Sequence, residues 1–398
     1  MADNKDKKVL NVPALRFPEF TGEWERHKLS EVCSFYSGGT PSSSKKEYYN
    51  GNIPFIRSGE LHKDYTELFI TEAGLSNSAA KLVETGDLLL ALYGATSGDI
   101  AISKIKGAIN QAILCIRTKQ NKKFIESVWN KHVERLLQTY LQGGQGNLSA
   151  DIVKNIPFYF ANSNEQDKLA KFISLLDERI ATQNKIIEKL QSLIKGLNDN
   201  IHKGIKGETV CFSDLGEAYS GLSGKGGDDF GYGEPFITYM NVYQNTYISE
   251  KDYELVQIAP NEKQNSVQYG DALFTLSSET PEEVSIGAVY LGNTQKLYLN
   301  SFCFGIHFYD ERVLPQYLAH FISSSSFRRA IYPLAQGSTR FNLQKNDFMK
   351  MKFLLPSLEK QGHIANTLDA LHCRLANEKS LTEQYILLKK YLLSLMFI

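Results

Sequence analysis

Apolar residues recur at alternating intervals of four and three positions in two long stretches of the chain. The first stripe runs through Leu169, Ile173, Leu176, Ile180, Gln183, Ile187, Leu190, Ile194, Leu197 and Ile201. The second runs through Ile364, Leu368, Leu371, Leu375, Glu378, Thr382, Tyr385, Leu388, Leu392 and Leu395, with a shift of phase near 378–385. This spacing is typical of a coiled-coil seam. We therefore predict two long helices that pair with each other in an antiparallel coiled coil.

Gln183 and Glu378 place a polar side chain near the middle of each stripe, at equivalent positions. In an antiparallel pair these two side chains would come close together. A central polar contact can fix the register of a coiled coil at some cost in stability. The alternative is that each side chain faces a water-filled gap.

The chain also repeats an unusual phrase. QGGQGNLSADIVKNIPF at 142–158 is echoed by QGSTRFNLQKNDFMKMKF at 336–353, so that Asn147-Leu148 matches Asn342-Leu343. The match extends backwards, because GDLLLALYG at 86–94 resembles GDALFTLSS at 270–278. Short apolar runs bounded by Gly, Asn and Ser predict strands and turns. Each half of the chain is therefore predicted to be one α+β globular unit followed by one long helix.

These patterns divide the chain into five predicted segments. They are an N-terminal segment at 1–23, a first globular unit at 24–160, a first long helix at 161–206, a second globular unit at 207–357 and a second long helix at 358–398. The predicted fold class is α+β, with an internal pseudo-twofold repeat and a coiled coil between two similar units.

Charge and composition narrow the possible functions. The 44 Lys and Arg balance the 44 Asp and Glu, which is a poor start for a nucleic-acid hypothesis. The distribution is uneven, since 24–158 carries 16 cations against 13 acids and 207–357 carries 11 against 17. No run reaches the roughly 20 apolar residues that span a bilayer, and the N-terminus does not resemble a signal peptide. We therefore expect a soluble, cytoplasmic protein with no membrane segment.

Motifs that carry chemistry are missing from the sequence. It contains no GxxxxGK[ST] phosphate loop, no HExxH metal motif and no CxxC among its five cysteines. Ser42 and Lys45 match SxxK only within a loop rich in Ser and Lys, without a companion motif. We interpret the chain as a binding protein, with no catalytic residue, no metal site and no cofactor of its own.

The segment VPALRFPEFTGEWERHKLSEV at 12–32 resembles the N-terminal region of the specificity subunits of type I restriction-modification systems. Arg16-Phe17-Pro18, Trp24 and Leu29 carry this likeness, and the repeated layout of the whole chain agrees with it. The resemblance implies two target recognition domains, each reading one half of a bipartite, asymmetric site in double-stranded DNA. It also implies that the helices act as a spacer and as a docking surface for partner subunits.

The same resemblance implies which partners to expect. Two methyltransferase subunits would use S-adenosylmethionine, and restriction or translocase subunits would use ATP and Mg. The chain itself would then be a non-catalytic subunit. The rival interpretation is a coiled-coil scaffold whose globular units bind protein, which would not bind DNA even with a methyltransferase present.

Candidate DNA contacts are polar and cationic residues in the Gly-rich loops and the repeated phrase, because such side chains reach base edges and phosphates. In the first unit they are Lys45, Lys46, Arg57, Ser58, Tyr93, Gln142, Gln145 and Asn147. In the second unit they are Lys225, Tyr239, Gln336, Thr339 and Arg340. The alternative for Asn147 and Asn342 is that they cap the short helix or turn that follows.

Overall fold

The structure is a computed structural model that describes residues 10–140 and 147–398. The chain divides into two compact units, Met1–Asn184 with Leu381–Ile398, and Lys185–Ser380. Each unit therefore contains part of both long helices. Within the described residues, no helix is both long enough and apolar enough to cross a membrane.

The first unit combines short strands with helices at its C-terminal side. Its strands are β1 (Glu25–Lys28), β2 (Cys33–Ser37), β3 (Tyr49–Ile56), β4 (Phe69–Ile70), β5 (Lys81–Val83), β6 (Leu88–Ala91), β7 (Ile100–Ile102), β8 (Gly107–Ile109), β9 (Ile113–Thr118) and β10 (Pro157–Phe160). Its helices are α1 (Leu29–Val32), α2 (Glu72–Ser76), α3 (Lys122–Tyr140), α4 (Ala150–Asn155) and the first part of α5 (Ser163–Lys203).

The second unit repeats this arrangement. Its strands are β11 (Glu208–Cys211), β12 (Gly216–Ser220), β13 (Phe230–Ile237), β14 (Tyr253–Val256), β15 (Ala272–Thr275), β16 (Ser277–Ser278), β17 (Gly287–Val289), β18 (Tyr298–Leu299), β19 (Cys303–Phe308), β20 (Ala335–Gln336), β21 (Phe341–Leu343) and β22 (Lys352–Leu355). Its helices are α6 (Phe212–Leu215), α7 (Tyr239–Gln244), α8 (Pro315–Ser323), α9 (Ser325–Ile331), α10 (Lys345–Met349) and the first part of α11 (Leu358–Met396).

Strand order confirms the internal repeat that the sequence predicts. In the first unit the orders are β2–β9–β6–β7, β4–β3–β8–β5 and β1–β10. In the second unit they are β12–β19–β15–β17, β14–β13–β18 and β11–β22. The one parallel pair within these sheets recurs as well, as β3 with β8 and β13 with β18. Both α+β units therefore share these three sheets, while β5 is described only in the first unit and the sheet β16–β21–β20 only in the second.

A central strand anchors each core. Every residue of β6 is buried, and every residue of β15 is buried too. Strands covered on both faces are read as continuous apolar runs rather than alternating ones. This explains why LLLA is entirely apolar and why the only polar residue of ALFT is the fully buried Thr275.

A buried glutamine ties each core to its long helix. In the first unit, Gln166 Nε2 donates to the Ala161 carbonyl at 2.7 Å, and Gln166 Oε1 accepts from the Asn121 amide at 3.1 Å. In the second unit, Gln361 Nε2 donates to the Pro356 carbonyl at 2.9 Å, and Gln361 Oε1 accepts from the Leu314 amide at 2.8 Å. Each carboxamide thus joins the first turn of a long helix to the segment that begins α3 or α8.

The two long helices run antiparallel where they meet inside the first unit. Asp177 of α5 forms an ion pair with Lys389 of α11 at 2.5 Å. Two residues further along α5, Arg179 Nε donates to the hydroxyl of Tyr385 at 3.3 Å. The residue number rises on one helix as it falls on the other, which confirms the predicted antiparallel pairing.

The predicted phase shift in the second stripe is wrong. The four-three spacing continues from Glu378 through Thr382 and Tyr385 to Lys389, and Lys389 is held against α5 by its ion pair with Asp177. The predicted stripe residue Leu388 is instead 43% exposed. A pattern of apolar residues leaves out a charged residue that packs inward through an ion pair. The sequence therefore indicated a change of spacing that the helix does not have.

The central polar contact of the coiled coil, between Gln183 and Glu378, stays a prediction. Gln183 is 1% exposed, and Glu378 lies 3.8 Å from Arg374.

Two buried histidines, His202 and His320, and the half-buried His372 lie in the second unit where α8 packs on the long helices. Burial lowers the pKa of His202, of His320 and of His372. His202 Nδ1 lies 2.9 Å from the Asn198 carbonyl, and its Nε2 has no hydrogen-bond partner among the described residues. The matching ring in the first unit is Phe397, which lies against α3 as His202 lies against α8. A neutral imidazole therefore occupies a place that the repeat fills with phenylalanine.

Replacing Gln166 with Leu is expected to lower the free energy of unfolding by about 2–4 kcal/mol, because two buried backbone groups lose their partners. Gln361→Leu should have a similar effect. Gln138, which is exposed on α3, gives the control Gln138→Leu, with a change within about 0.5 kcal/mol. Denaturant unfolding measures all three variants, and a loss equal to the control would contradict the role of the carboxamide.

Replacing His202 with Phe is expected to stabilise the protein more at pH 5.5 than at pH 7.5. A histidine whose pKa is lowered by folding binds more protons in the unfolded state than in the folded state. The free energy of unfolding of the protein therefore falls as the pH drops below about 6.5. The variant loses this term, whereas His320 and His372 contribute equally to both proteins. Melting temperatures at the two pH values test this, with His363→Phe on the exposed side of α11 as control. An identical shift at both pH values would argue against it.

Candidate nucleic-acid interface

The repeated phrase of the second unit forms a β-hairpin. β20 and β21 pair through Gln336 and Asn342, and β21 pairs on its other side with β16, where Asn342 faces Ser277. Gly337 has a φ of +142°, and a Cβ built on it would lie 2.1 Å from the Arg340 carbonyl oxygen. Only glycine fits this tip without strain. The hairpin presents Gln336, Thr339, Arg340 and Asn342 as exposed side chains.

Aromatic side chains surround the hairpin. The hydroxyl of Tyr239, the first residue of α7, donates to the Ser277 carbonyl at 2.8 Å. Burial raises the pKa of Tyr239, so its hydroxyl stays protonated. The guanidinium of Arg340 lies 5.8 Å from the centre of the Phe302 ring. The structure thus brings together Tyr239, Arg340 and the strand that carries Asn342, which are far apart in sequence.

The first unit anchors its copy of the phrase in the same way. The Leu148 amide donates to the Leu92 carbonyl at 2.9 Å, and the Leu343 amide donates to the Leu276 carbonyl at 3.0 Å. These equivalent bonds place Asn147 beside Tyr93, as the hairpin places Asn342 beside Ser277. Gln142 and Gln145, two of the predicted contacts, lie outside the described residues.

The tyrosine changes sides between the two units. Tyr93 follows β6 in the first unit, where Ser277 follows β15 in the second. Conversely, Ser58 begins the short 3₁₀ turn after β3, where Tyr239 begins α7 after β13. Each unit therefore carries one tyrosine and one serine at the same pair of positions, but in opposite order, and Ser277 is buried. The two units have one backbone plan and different side chains at these positions.

The capping alternative for the two asparagines is wrong. Ser149 caps α4, since its hydroxyl accepts from the Ile152 amide at 3.1 Å. Gln344 stands at the cap of α10 without a side-chain hydrogen bond. Asn147 and Asn342 are exposed and precede these positions. Their side chains are not required to begin either helix.

Two predicted cations are already paired inside their units. Arg57 lies 2.7 Å from Glu60 and 2.9 Å from Glu67. Burial alone would raise the pKa of Glu60, but hydrogen bonds from Arg57 and Thr66 lower it to about 2. Lys225 forms an ion pair with Glu262 at 2.5 Å, and its side chain is 8% exposed. Their DNA contacts stay predictions, and either contact would first require these pairs to separate.

The remaining predicted cations lie on the first unit's long loop. Lys45 Nζ donates to the Tyr48 hydroxyl at 2.9 Å and sits over the same ring. Lys46 is exposed at the start of a 3₁₀ turn that ends at Tyr48. Both charges remain available at the surface.

The structure adds the exposed Asn342 to the candidate contacts and places the buried Ser277 opposite it, and sequence reasoning proposed neither as a contact. Asn342 could have been found, because it is the exact counterpart of the candidate Asn147 in the repeated phrase. Ser277 gave no signal of its own, since its place beside Asn342 depends on the pairing of β16 with β21.

Two stretches of the chain, 21–192 and 207–384, match the family model described as the type I restriction modification DNA specificity domain. The chain belongs to this family. The first specificity domain contains Tyr93 and Asn147, and the second contains Tyr239, Arg340 and Asn342. The protein is thus a specificity subunit with two such domains.

Specificity subunits of type I restriction enzymes are similar in sequence and in fold. The type I restriction enzyme MjaVIII specificity subunit of Methanocaldococcus jannaschii is 22% identical, with 98% of this chain and 95% of that protein covered. The EcoR124I/EcoR124II specificity subunit of Escherichia coli is 27% identical over 44% of this chain and 45% of that protein. The fold is similar to that of the type I restriction-modification S subunit from M. genitalium, with a TM-score of 0.56, 12% identity and coverage of 97% of this chain and 99% of that one.

A second solved structure has the same fold. It comes from work on complex assembly and conformational transition of the type I R-M system, and it matches with a TM-score of 0.60 and 14% identity. The match covers 93% of this chain and 96% of that one.

Proposed function

We propose that each specificity domain reads one half of a bipartite, asymmetric site in double-stranded DNA, and that the chain does so as a non-catalytic subunit. The observation that supports this most directly is the difference in side chains between two matched backbone frames. One backbone plan carries Ser58 and Tyr93 in the first domain, and Tyr239 and Ser277 in the second. Two readers with the same frame and different side chains recognise two different half-sites.

The exposed side chains suit direct reading of bases. Arg340 at the hairpin tip can donate two hydrogen bonds to guanine, and Asn147 and Asn342 can each pair with the edge of adenine in the major groove. Thr339 and Gln336 extend the same polar edge. A scaffold that binds only protein would not need polar readers that differ between two otherwise matching domains.

The proposed complex also contains two methyltransferase subunits, which would bind S-adenosylmethionine, and restriction or translocase subunits that would use ATP and Mg. Sharing the phosphate contacts with these subunits would make the balanced charge of this chain tolerable, because phosphate contacts dominate DNA affinity. The long helices would act as the spacer that sets the distance between the half-sites.

An outer apolar patch on α11 supports the docking role of the helices. We define this patch as Leu387, Leu388 and Tyr391, which are 66%, 43% and 61% exposed. The stripe that packs inward passes through Tyr385, Lys389 and Leu392, so the patch faces away from the first unit's core. Contiguous exposed apolar surface marks a site of interaction. We propose that a methyltransferase subunit covers it.

The central test is a map of modified bases. The chain is expressed with a type I methyltransferase subunit in a host that lacks such modification, and N6-methyladenine is located genome-wide. The expected result is a split, non-palindromic motif with one modified adenine in each half, on opposite strands. A soluble complex that modifies no site would favour the scaffold interpretation.

Arg340→Ala is expected to weaken binding by about 1–3 kcal/mol and to relax the preference in one half-site only, because a base contact has been lost. The same methylation map measures this directly. Arg329→Ala removes another exposed arginine of the second unit and serves as control. A uniform loss at all sequences would instead make Arg340 a phosphate contact.

Replacing both Leu387 and Tyr391 with Glu is expected to prevent assembly with the methyltransferase and to abolish modification, because charged groups would be buried without partners. The fold should be kept, since both side chains are exposed. Co-purification tests this, with Leu255→Glu on β14 as the matched exposed control. Normal assembly of the double variant would show that the patch is not the docking surface.

A further inference from the structure

A basic pocket opens on the first unit, apart from the candidate readers. It is a cavity of about 770 Å³ whose polar lining includes Arg26, Lys131, His132, Arg135 and Thr139. No Asp or Glu lines it. Three cations therefore converge on one space that no carboxylate side chain lines, and Ile398 lines the same space.

Two residues of the pocket contact the backbone that follows α11. Lys131 donates to the Phe397 carbonyl, and His132 Nε2 lies 2.8 Å from the Ile398 carbonyl oxygen. Burial lowers the pKa of His132, and burial together with Arg135 lowers that of Lys131. A neutral His132 that donates through Nε2 leaves Nδ1 as an acceptor, which faces Arg135 Nη2 at 3.5 Å. The ring thus orients Arg135 without neutralising it.

Arg26 and Arg135 are the two arginines of the basic pocket. Neither forms an ion pair with a carboxylate in the part of the chain that the structure describes. Both are exposed. Their guanidinium groups open onto the pocket from different elements, β1 and α3.

The repeat shows that the fold does not require the charge of Arg26. β1 pairs with β10 so that Arg26 lies opposite Tyr159, and β11 pairs with β22 in the matching register so that Thr209 lies opposite Leu354. The second unit builds the same strand pair with a neutral residue in place of Arg26. Arg26 is therefore a feature of the first unit and is not required by the shared architecture.

We propose that the basic pocket binds a phosphate of the DNA backbone next to the half-site that the first domain reads. This inference rests on the proposed function. Guanidinium groups match the geometry of phosphate oxygens, and the Thr139 hydroxyl adds a further polar group. Phosphate contacts fix the position of a protein on the duplex while the base contacts specify the sequence.

The position of the pocket along the chain agrees with this role. It is lined by the last residues of α3, including Tyr140, and the candidate reader Asn147 follows seven residues later. Seven residues span at most about 25 Å even when fully extended. A phosphate held in the pocket therefore lies within about seven base pairs, at about 3.4 Å each, of the base that Asn147 would contact.

The test compares the full chain, assembled with its methyltransferase, with the double variant Arg26→Gln/Arg135→Gln. Affinity is measured at several salt concentrations for a duplex that carries the methylated motif and for a scrambled duplex. Losing one phosphate contact should reduce the slope of log affinity against log salt by about 1, equally for both duplexes. The methylated motif should not change. The variant Arg26→Lys/Arg135→Lys keeps the charges and should retain most of the slope.

Lys81→Gln/Lys119→Gln removes two exposed cations of the same unit that lie outside the basic pocket, and it should leave the slope nearly unchanged. An unchanged slope in Arg26→Gln/Arg135→Gln, while the wild-type complex binds its motif, overturns the inference. So does an unchanged slope combined with poor assembly, which would assign the pocket to an acidic segment of a partner protein. A wild-type complex that binds neither duplex overturns the proposed function and this inference with it.

Discussion

A buried carboxamide at the start of each long helix joins the helix to the globular core. The side-chain oxygens of Gln166 and Gln361 accept hydrogen bonds from the backbone amides just before α3 and α8. Their side-chain nitrogens donate to backbone carbonyls just before α5 and α11. A buried amide side chain with all its groups paired is stable in one orientation only, because any other leaves donors and acceptors without partners. The two units therefore keep the same frame although most of their residues differ.

This constant frame allows the surface to diverge. The bonds from Leu148 to Leu92 and from Leu343 to Leu276 hold both copies of the repeated phrase at one place relative to the central strand. Near this anchored phrase, the first unit places Tyr93 after β6, and the second unit places Tyr239 at the start of α7. The second unit adds Arg340 at a glycine-dependent tip. Recognition can thus change by substitution at a few positions without any change in topology.

The cationic side chains of this chain, whose net charge is zero, fall into two groups, those paired with carboxylates of their own unit and those without such a partner among the described residues. Arg57, Lys225 and Lys389 are each paired with carboxylates of their own unit and serve its structure. Arg340, Arg26 and Arg135 have no carboxylate partner among the described residues and are exposed. Local fields, and not the net charge, decide where a polyanion is attracted. A protein with no excess charge can therefore still carry cationic points suited to DNA.

The amino-acid sequence by itself determined the repeat, the α+β class and the two long helices, because apolar spacing and recurring phrases depend only on local order. It also indicated the family, through the N-terminal motif and the layout. Only the tertiary structure decided which polar residues are used internally. Lys389 belongs to the inward stripe because it forms an ion pair with Asp177. The charge of Arg57 is paired because Glu67 lies within ion-pair distance. Asn342 and Ser277 meet because two short strands pair across 65 positions of the chain. Ion pairs and strand registers join residues that are distant in sequence, and no local pattern records them.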